Sequence, residues 1–431
     1  VPAYACYLLI RALASFAAAT AFTLNLVYHV QTVGMTPLQL VLVGTTLEVT
    51  AFLSQVPTGV VADLYSRRLS VIIGNVLIGS AFVIEGLVPN FFVILATQLL
   101  WGVGATFVDG AEEAWIVDEV GEERSGHVFT RGAQVGQLAT VLGIGASVAL
   151  GSLELNIPVV AGGVVWLLLA GLLVVVMPER NFHRSEDRGS FASMRSQFVQ
   201  GTQVVRRRPV LLSLLGATLF IGLGSEGWDR LNQANFLENL TFPALGNPPL
   251  WFGAMSIAGM LGSILLTEVI RRRMLRFPES VGRMLIGFQA LNIVAVVGFA
   301  LAGEFWPAVA AALVAGLARS ARGPLFMTWM SAQTESRTRA TVFSMNGQFD
   351  AAGQILGGPP VGAVGERFGI RMALVVAGLL AAPALALYAK AIRTHDVMRG
   401  SAEGGHSEQS TDVPGDGRDD DGSVPARSCG G

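Results

Sequence analysis

Three single carboxylates, Glu48, Asp109 and Asp350, stand deep inside long apolar runs. A charge at mid-bilayer costs about 2.5–3.5 kcal/mol on insertion scales, so such a residue faces a cavity or a partner, and a lone acid there is a candidate proton carrier. Further polar residues share these runs: Glu112 and Glu113 beside Asp109, Arg131 with Gln134 and Gln137, the group Glu226, Asp229 and Arg230, and the pair Arg319 and Arg322. Glu226, Asp229, Arg230 and Gln233 fall at i, i+3, i+4 and i+7, one stripe of a helix. Asn346, Asp350 and Gln354 make a second stripe. Because lipid satisfies no polar group, each stripe must face protein or water. We read Glu48, Asp109 and Asp350 as candidates for proton coupling, and Glu113, Arg131, Gln134, Glu226, Asp229, Arg230, Arg319 and Arg322 as candidate walls of a solute cavity.

Two readings stay open for several of these. Arg319 and Arg322, three residues apart, could hold an anionic group or pair with the acids near Asp109. Asp229 and Arg230 suit either a salt bridge or a binding role. Glu112 and Glu113, with Asp118, Glu119, Glu122 and Glu123, read as a solvated acidic mouth. Trp101, Trp115, Trp228 and Trp329 could line a cavity or simply pack. His29 falls near a membrane face and His127 in a connection, so neither reads as a buried relay. No metal-ligand spacing, no Gly-Lys-Ser/Thr phosphate loop and no His-Glu-x-x-His pair is present, so neither a metal, a cofactor nor an enzymatic activity is expected.

These side chains need long apolar elements to carry them. The chain has 431 residues, of which 52% are hydrophobic and 14% charged; soluble domains carry about a quarter charged residues. Apolar runs near the roughly 20 residues that cross a bilayer recur at 4–32, 36–62, 69–88, 90–118, 124–152, 155–177, 210–240, 249–270, 281–303, 305–334, 337–365 and 369–394. They are too long and continuous for barrel strands. The predicted class is an all-α membrane protein of twelve transmembrane helices, with the bilayer and a small molecule as partners and no nucleic acid.

Arginines accumulate in alternate connections: Arg67 and Arg68, Arg124 and Arg131, Arg206 to Arg208, five within 271–283, then Arg337 and Arg339. The positive-inside rule places those connections and both termini in the cytoplasm; only the run 366–371 departs. Segment 178–209 divides the spans into bundles at 1–177 and 210–394 and could include a surface helix, while 395–431 is rich in Gly, Ser and Asp and is expected to lack structure. No charged leader precedes the first span, which is expected to be retained. Cys6 and Cys429 lie far apart and suggest no disulfide. Shifting the sequence by 214 residues aligns Gly102 with Gly316, Trp115 with Trp329, Gln134 with Gln348 and Gly151 with Gly365, as a duplicated six-helix unit would.

The connection after the second run reads "PTGVVADLYSRR". It resembles the signature between helices 2 and 3 of the major facilitator superfamily, with Gly59, Asp63, Arg67 and Arg68 matching and Leu64 and Ser66 replacing the usual Arg and Gly. The resemblance implies the twelve-helix major facilitator fold in two pseudo-symmetric bundles. It also implies a gating motif in which Asp63 meets the start of the eleventh helix near Arg337 to Arg339, with Gly59 allowing close helix approach. The stretches 37–74, 101–123 and 222–239 look like the branch that includes macrolide and tetracycline drug:proton antiporters. That likeness implies a monomeric bacterial inner-membrane exporter of amphiphilic molecules, driven by protons. Two features depart from it: Gln98 stands where proton-coupled exporters often carry arginine, and the glycine-rich fifth run has no proline. Import of a small anionic metabolite, with Arg319 and Arg322 as its clamp, is the alternative.

Overall fold

A computed structural model describes residues 2–182, 202–203, 205–206, 208–244, 246–277 and 280–408. Among these every regular element is a helix. The first half contains α1 (Ala3–Gln31), α2 (Pro37–Leu64), α3 (Arg67–Leu87), α4 (Phe91–Val108), α5 (Ala111–Val120), α6 (Glu122–Gly151) and α7 (Asn156–Val176). The second contains α8 (Pro209–Asn239), α9 (Pro248–Arg276), α10 (Val281–Leu301), α11 (Phe305–Ala332), α12 (Ser336–Phe368), α13 (Ile370–Leu380) and α14 (Pro383–Glu408).

These helices make twelve spans, because two spans are broken. The fourth is α4 plus α5, interrupted at Asp109 and Gly110; Gly110 adopts φ 77°, a left-handed conformation that suits glycine. The twelfth is α13 plus α14, interrupted before Pro383, which has no N–H to continue the helix. The last helix runs to Glu408, past the expected boundary at 394. The surface helix suggested for 178–209 and the tail from 409 lie largely outside the described residues. Among the described residues, ten spans are long and apolar enough to cross a membrane by composition alone. The two that fall short, α11 and α12, carry Arg319, Arg322, Asn346 and Asp350 and spend apolar surface on a polar face.

The halves share one packing plan. In the first, α1 packs on α6 and α7, α3 on α7 and α4, and α2 on α4. In the second, α8 packs on α12 and on the α13–α14 span, α10 on that span and on α11, and α9 on α11. Each contact of one half thus has its counterpart six spans later, which is the two-bundle pseudo-symmetry. Glycines bring the helices close: a Cβ on Gly79 would lie 2.8 Å from the Gly163 carbonyl, and one on Gly353 would collide with the Leu219 carbonyl.

The two halves meet chiefly through α2 and α12, with further contacts of α6 to α9 and of α8 to α1 and α2. We call the end carrying both termini the terminal side and the other the far side. The seam is tight on the far side, where a Cβ on Gly365 would lie 2.9 Å from Pro37 and one on Gly362 3.0 Å from Leu38. The Leu38 amide also donates to Glu366 (3.4 Å) and Asn247 to Ser152 (3.3 Å). Towards the terminal side the seam loosens. There Gln348 donates to Gln55 (2.6 Å) between exposed side chains, and a Cβ on Gly59 would have nothing within 4 Å.

Candidate functional site

The expected site residues converge on this seam from both halves. On α8, Glu226 is 1% exposed and accepts from Arg230 Nε (2.8 Å) one turn on. Asp229 points to another face and accepts from Arg319 Nη2 of α11 (2.9 Å). Neighbours in sequence, Asp229 and Arg230 therefore serve different pairs. The alternative that Arg319 reaches the acids of the fourth span is overturned, because Asp229 of α8 lies within its reach.

Arg322, one turn beyond Arg319, donates to Gln289 Oε1 of α10 (2.8 Å) instead of a carboxylate. Gln289 is fully buried and donates to the Ala381 carbonyl at the break in the twelfth span (3.4 Å), so the break positions the amide that holds the guanidinium. Asp350 of α12 accepts from Gln354 (3.0 Å) on its own stripe, and Asn346 there accepts from Thr218 of α8 (2.7 Å). Arg319, Arg322, Ser225, Trp228 and Asn292 surround a cavity of about 20 Å³, room for one water molecule. Of the four tryptophans, Trp115 and Trp329 are buried in packing, and Trp115 donates to the Pro178 carbonyl (2.6 Å).

The first half contributes Glu48 from α2. It is half-buried and, among the described residues, has neither a hydrogen bond nor an ion pair. One turn before it, Gly44 abuts the second half so closely that a Cβ would overlap the Glu226 carboxylate and Arg230 Nε. Gly358 of α12 closes the same junction, where a Cβ would lie 2.5 Å from Thr45 Oγ1 and 3.3 Å from Glu226 Cγ. Glu226 and Arg230 thus plug the place where α2, α8 and α12 cross.

The remaining candidates lie apart from this junction. Asp109 caps the end of α4 and is exposed; Glu113, also exposed, accepts from the Gly110 amide (3.1 Å). Arg131 and Gln134 are exposed on α6 and bond to each other (3.2 Å). Glu112 is no part of a solvated mouth: it is 4% exposed and its Oε1 lies 3.7 Å from Arg11 Nη1 of α1. Helix phase separates the neighbours, turning Glu113 outward and Glu112 inward.

The motif residues lock their own half. Asp63 pairs with Arg67 (3.8 Å), and Arg67 also holds Asp118 and the Ala114 carbonyl (2.9 Å) of α5. Arg68 donates to the Val174 carbonyl (2.6 Å) and, through its amide, to Glu179 (2.9 Å). Among the described side chains Asp63 pairs with Arg67, while the expected partner Arg337 has a side chain outside the described residues; a Cβ on Gly59 would have nothing within 4 Å. Ser66, where the resembled signature has glycine, accepts from the Leu69 amide (2.9 Å) to cap α3 and donates to Glu179 (2.6 Å).

Sequence reasoning also missed a buried cluster. Glu85 of α3, 2% exposed, accepts from Asn25 (2.6 Å), Thr97 (3.3 Å) and Gln98 (3.2 Å), with His29 Nε2 at 2.9 Å. His29 is 1% exposed, against the expectation of a surface position, and Tyr28 donates to the Glu85 carbonyl (2.8 Å). Gln98, in the place of an arginine, is thereby a carboxylate ligand. The signal was available: Asn25 and His29, at i and i+4, put two polar groups on one face of α1.

Two like six-span halves around a polar seam define a secondary-transporter architecture. The chain belongs to the Major Facilitator Superfamily, whose sequence model matches residues 7–345. It is 24% identical over 363 residues, 81% of this chain and 86% of the relative, to the uncharacterized MFS-type transporter YxaM of Bacillus subtilis (strain 168). Among solved structures it is similar to the nucleoside transporter NupG (TM-score 0.75, 12% identity, 91% of this chain and 99% of that one). It is likewise similar to an inward-facing, unoccupied bacterial homolog of the human lysosomal transporter Spinster (TM-score 0.73, 17% identity, 91% and 96%). The protein is therefore a multi-pass membrane transporter of a small molecule.

Proposed function

We propose that this transporter is a proton-coupled exporter of amphiphilic small molecules, working as a monomer in a bacterial inner membrane with both termini cytoplasmic. The observation that carries the reading is that Glu48, facing the Glu226–Arg230 pair, has no hydrogen bond or ion pair of its own among the described residues. Across the seam, Glu226 is matched by Arg230 and Asp229 by Arg319, and Arg322 and Asp350 add one charge of each sign. Three acids and three bases balance, and Glu48 is the carboxylate left over. An uncompensated charge beside a low-dielectric junction is costly, and a proton is the simplest compensation. Asp109 and Asp350 serve as secondary proton carriers, and Glu113, Arg131 and Gln134 line the solute's path from the terminal side.

The cycle follows from the seam. Glu226–Arg230, held against Gly44 and Gly358, closes the far side while the terminal side admits solute. Protonation of Glu48 changes the charge facing that plug and favours the opposite arrangement, in which Asp63 exchanges Arg67 for the start of α12. Resemblance of the stretches around Glu48, Trp101 and Glu226 to drug:proton antiporters supports the solute class and the direction.

The test is growth of an efflux-deficient bacterium expressing wild type or Glu48→Gln at matched membrane levels, over a panel of amphiphilic antibiotics and dyes. Resistance conferred by the wild type and lost in the variant is expected. A second reading, uptake of a small anionic metabolite, draws on Arg322, whose guanidinium rests on an amide instead of a carboxylate. A wild type that protects against nothing, joined to anion uptake that Arg322→Gln abolishes, would replace the first reading with the second.

A further inference from the structure

The Gly110 end of α5 is held to α1 by an ion pair of unusual construction. Glu112 is 4% exposed, and its Oε1 has no hydrogen-bond donor; the nearest cation, Arg11 Nη1, stands at 3.7 Å. A fixed structural pair in such a place normally has shorter contacts and further donors, as Glu85 has with four. Arg11, by contrast, has a side chain 37% exposed, and its stem lies on Gly132 of α6, where a Cβ would be 3.2 Å from Arg11 Cγ. One partner is thus sealed and under-satisfied, the other partly exposed.

The segment that Glu112 belongs to is built to pivot. α5 lies between Gly110 and Gly121, with φ of 77° and 83°. Arg67 holds Asp118 near the Gly121 end of α5, and the Ala114 carbonyl, held by Arg67, and Trp115, which donates to the Pro178 carbonyl, tie its middle. At its Gly110 end the tie across to another span is Glu112–Arg11. Other charged or titratable groups around Glu112 do not compete for it. Cys6 and Tyr7 of α1 are buried, Asp63 of α2 pairs with Arg67, and Arg68 of α3 holds Val174. Arg131 of α6 binds Gln134, while Asp109 and Glu113 add negative charge beside it.

We propose that Glu112 is a proton-binding carboxylate in its own right, with Arg11 as its switching partner, and that its protonation frees the Gly110 end of α5. One proton from water on the terminal side adds to a carboxylate oxygen and leaves a neutral acid; the attraction to Arg11 is lost and no covalent bond elsewhere changes. Glu113, exposed on α5, moves with it relative to Asp109 at the end of α4, so the proton reshapes the mouth of the solute path. This inference rests on the proton-coupled reading, but its probe reports on α5 alone.

The full chain is labelled with 5-fluorotryptophan and reconstituted in nanodiscs, and Trp115, one of seven tryptophans, is assigned by its disappearance in Trp115→Phe. The expected result is a Trp115 fluorine resonance that shifts as pH falls from 8.5 to 5.5. In Glu112→Gln it stays at its low-pH position throughout. In Arg11→Gln, which removes the attraction whether or not Glu112 is charged, the resonance likewise stays near its low-pH position. A wild-type resonance indifferent to pH, or a wild-type pH response retained in Arg11→Gln, overturns the proposal; the second variant serves even if Glu112→Gln fails to fold. In Glu48→Gln the Trp115 response persists, so failure at Glu48 and failure at Glu112 are separable.

Discussion

Glu85 and Glu48 are both carboxylates inside the membrane, yet their surroundings set them different tasks. Glu85 is enclosed by Asn25, His29, Thr97 and Gln98 and ties α1, α3 and α4 together, whereas Glu48 meets no fixed donor. Glu85→Ala should destabilise the protein by about 3–5 kcal/mol, the cost of removing one member of a buried polar pair, read as loss of thermal stability in detergent; Glu85→Gln, which keeps an acceptor for Asn25, should lose less. An unchanged melting curve in Glu85→Ala would mean that the cluster holds nothing together. Residue chemistry was partly legible in the sequence. Cost at mid-bilayer singled out Glu48, Asp350 and the arginines without any coordinates. Pairing was not legible, since Asp229 finds Arg319 and Arg322 finds Gln289 only through the angular phase of three helices. Glu85 and His29 escaped because each stands near the end of an apolar run, where a charge reads as solvated.

Helix boundaries were readable wherever proline, asparagine or serine punctuates the chain. Asn90 caps α4 by accepting from Phe92 (2.9 Å), and Thr36 with Gln39 forms a capping box at α2. The break at Gly110 was hidden because glycine in a membrane helix is too common to mark an interruption and Asp109, Glu112 and Glu113 read as the polar end of one span; the break after Ala381 is marked by Pro383, but the apolar run continues on both sides of it. The α2–α12 seam depends on absent side chains. Gly44 and Gly358 admit the Glu226–Arg230 plug, and Gly362 and Gly365 admit Leu38 and Pro37. Gly358→Leu should force this junction apart at an overpacking cost of about 1–3 kcal/mol. That favours the far-side-open arrangement by roughly 5- to 150-fold. Labelling of a cysteine introduced at Thr45 by a membrane-impermeant maleimide, in a Cys6→Ala, Cys429→Ser background, should rise accordingly. Labelling equal to that of the parent would show that the seam does not close through these glycines.

The pseudo-symmetry of the molecule was visible in sequence only as a faint register of 214 residues, yet it governs every helix pairing. It also shows where the halves differ. The contact of α2 with α12 is extensive while its counterpart, α6 with α9, is slighter, and the charged plug belongs to the tighter seam. The two seams would be equivalent in an ideal duplicate, so the divergence marks where function has been built: the first half joins its first and fourth spans by the pair Arg11–Glu112, where the second half has Asp229–Arg319 together with Glu226–Arg230. What remained illegible at this level was the conformation, because a sequence that alternates between two arrangements encodes both. The measurement that bears most directly on the account is the distance between spin labels at Tyr65→Cys and Ala340→Cys, exposed on the terminal side of α2 and α12. It is followed by pulsed electron resonance between pH 8 and pH 6 in the Cys6→Ala, Cys429→Ser background. If the charge on Glu48 sets the seam, the distance distribution shifts with pH in the parent, and in Glu48→Gln it is fixed at the low-pH distribution. A shift of the same size in Glu48→Gln would contradict the account and move the coupling proton to another carboxylate.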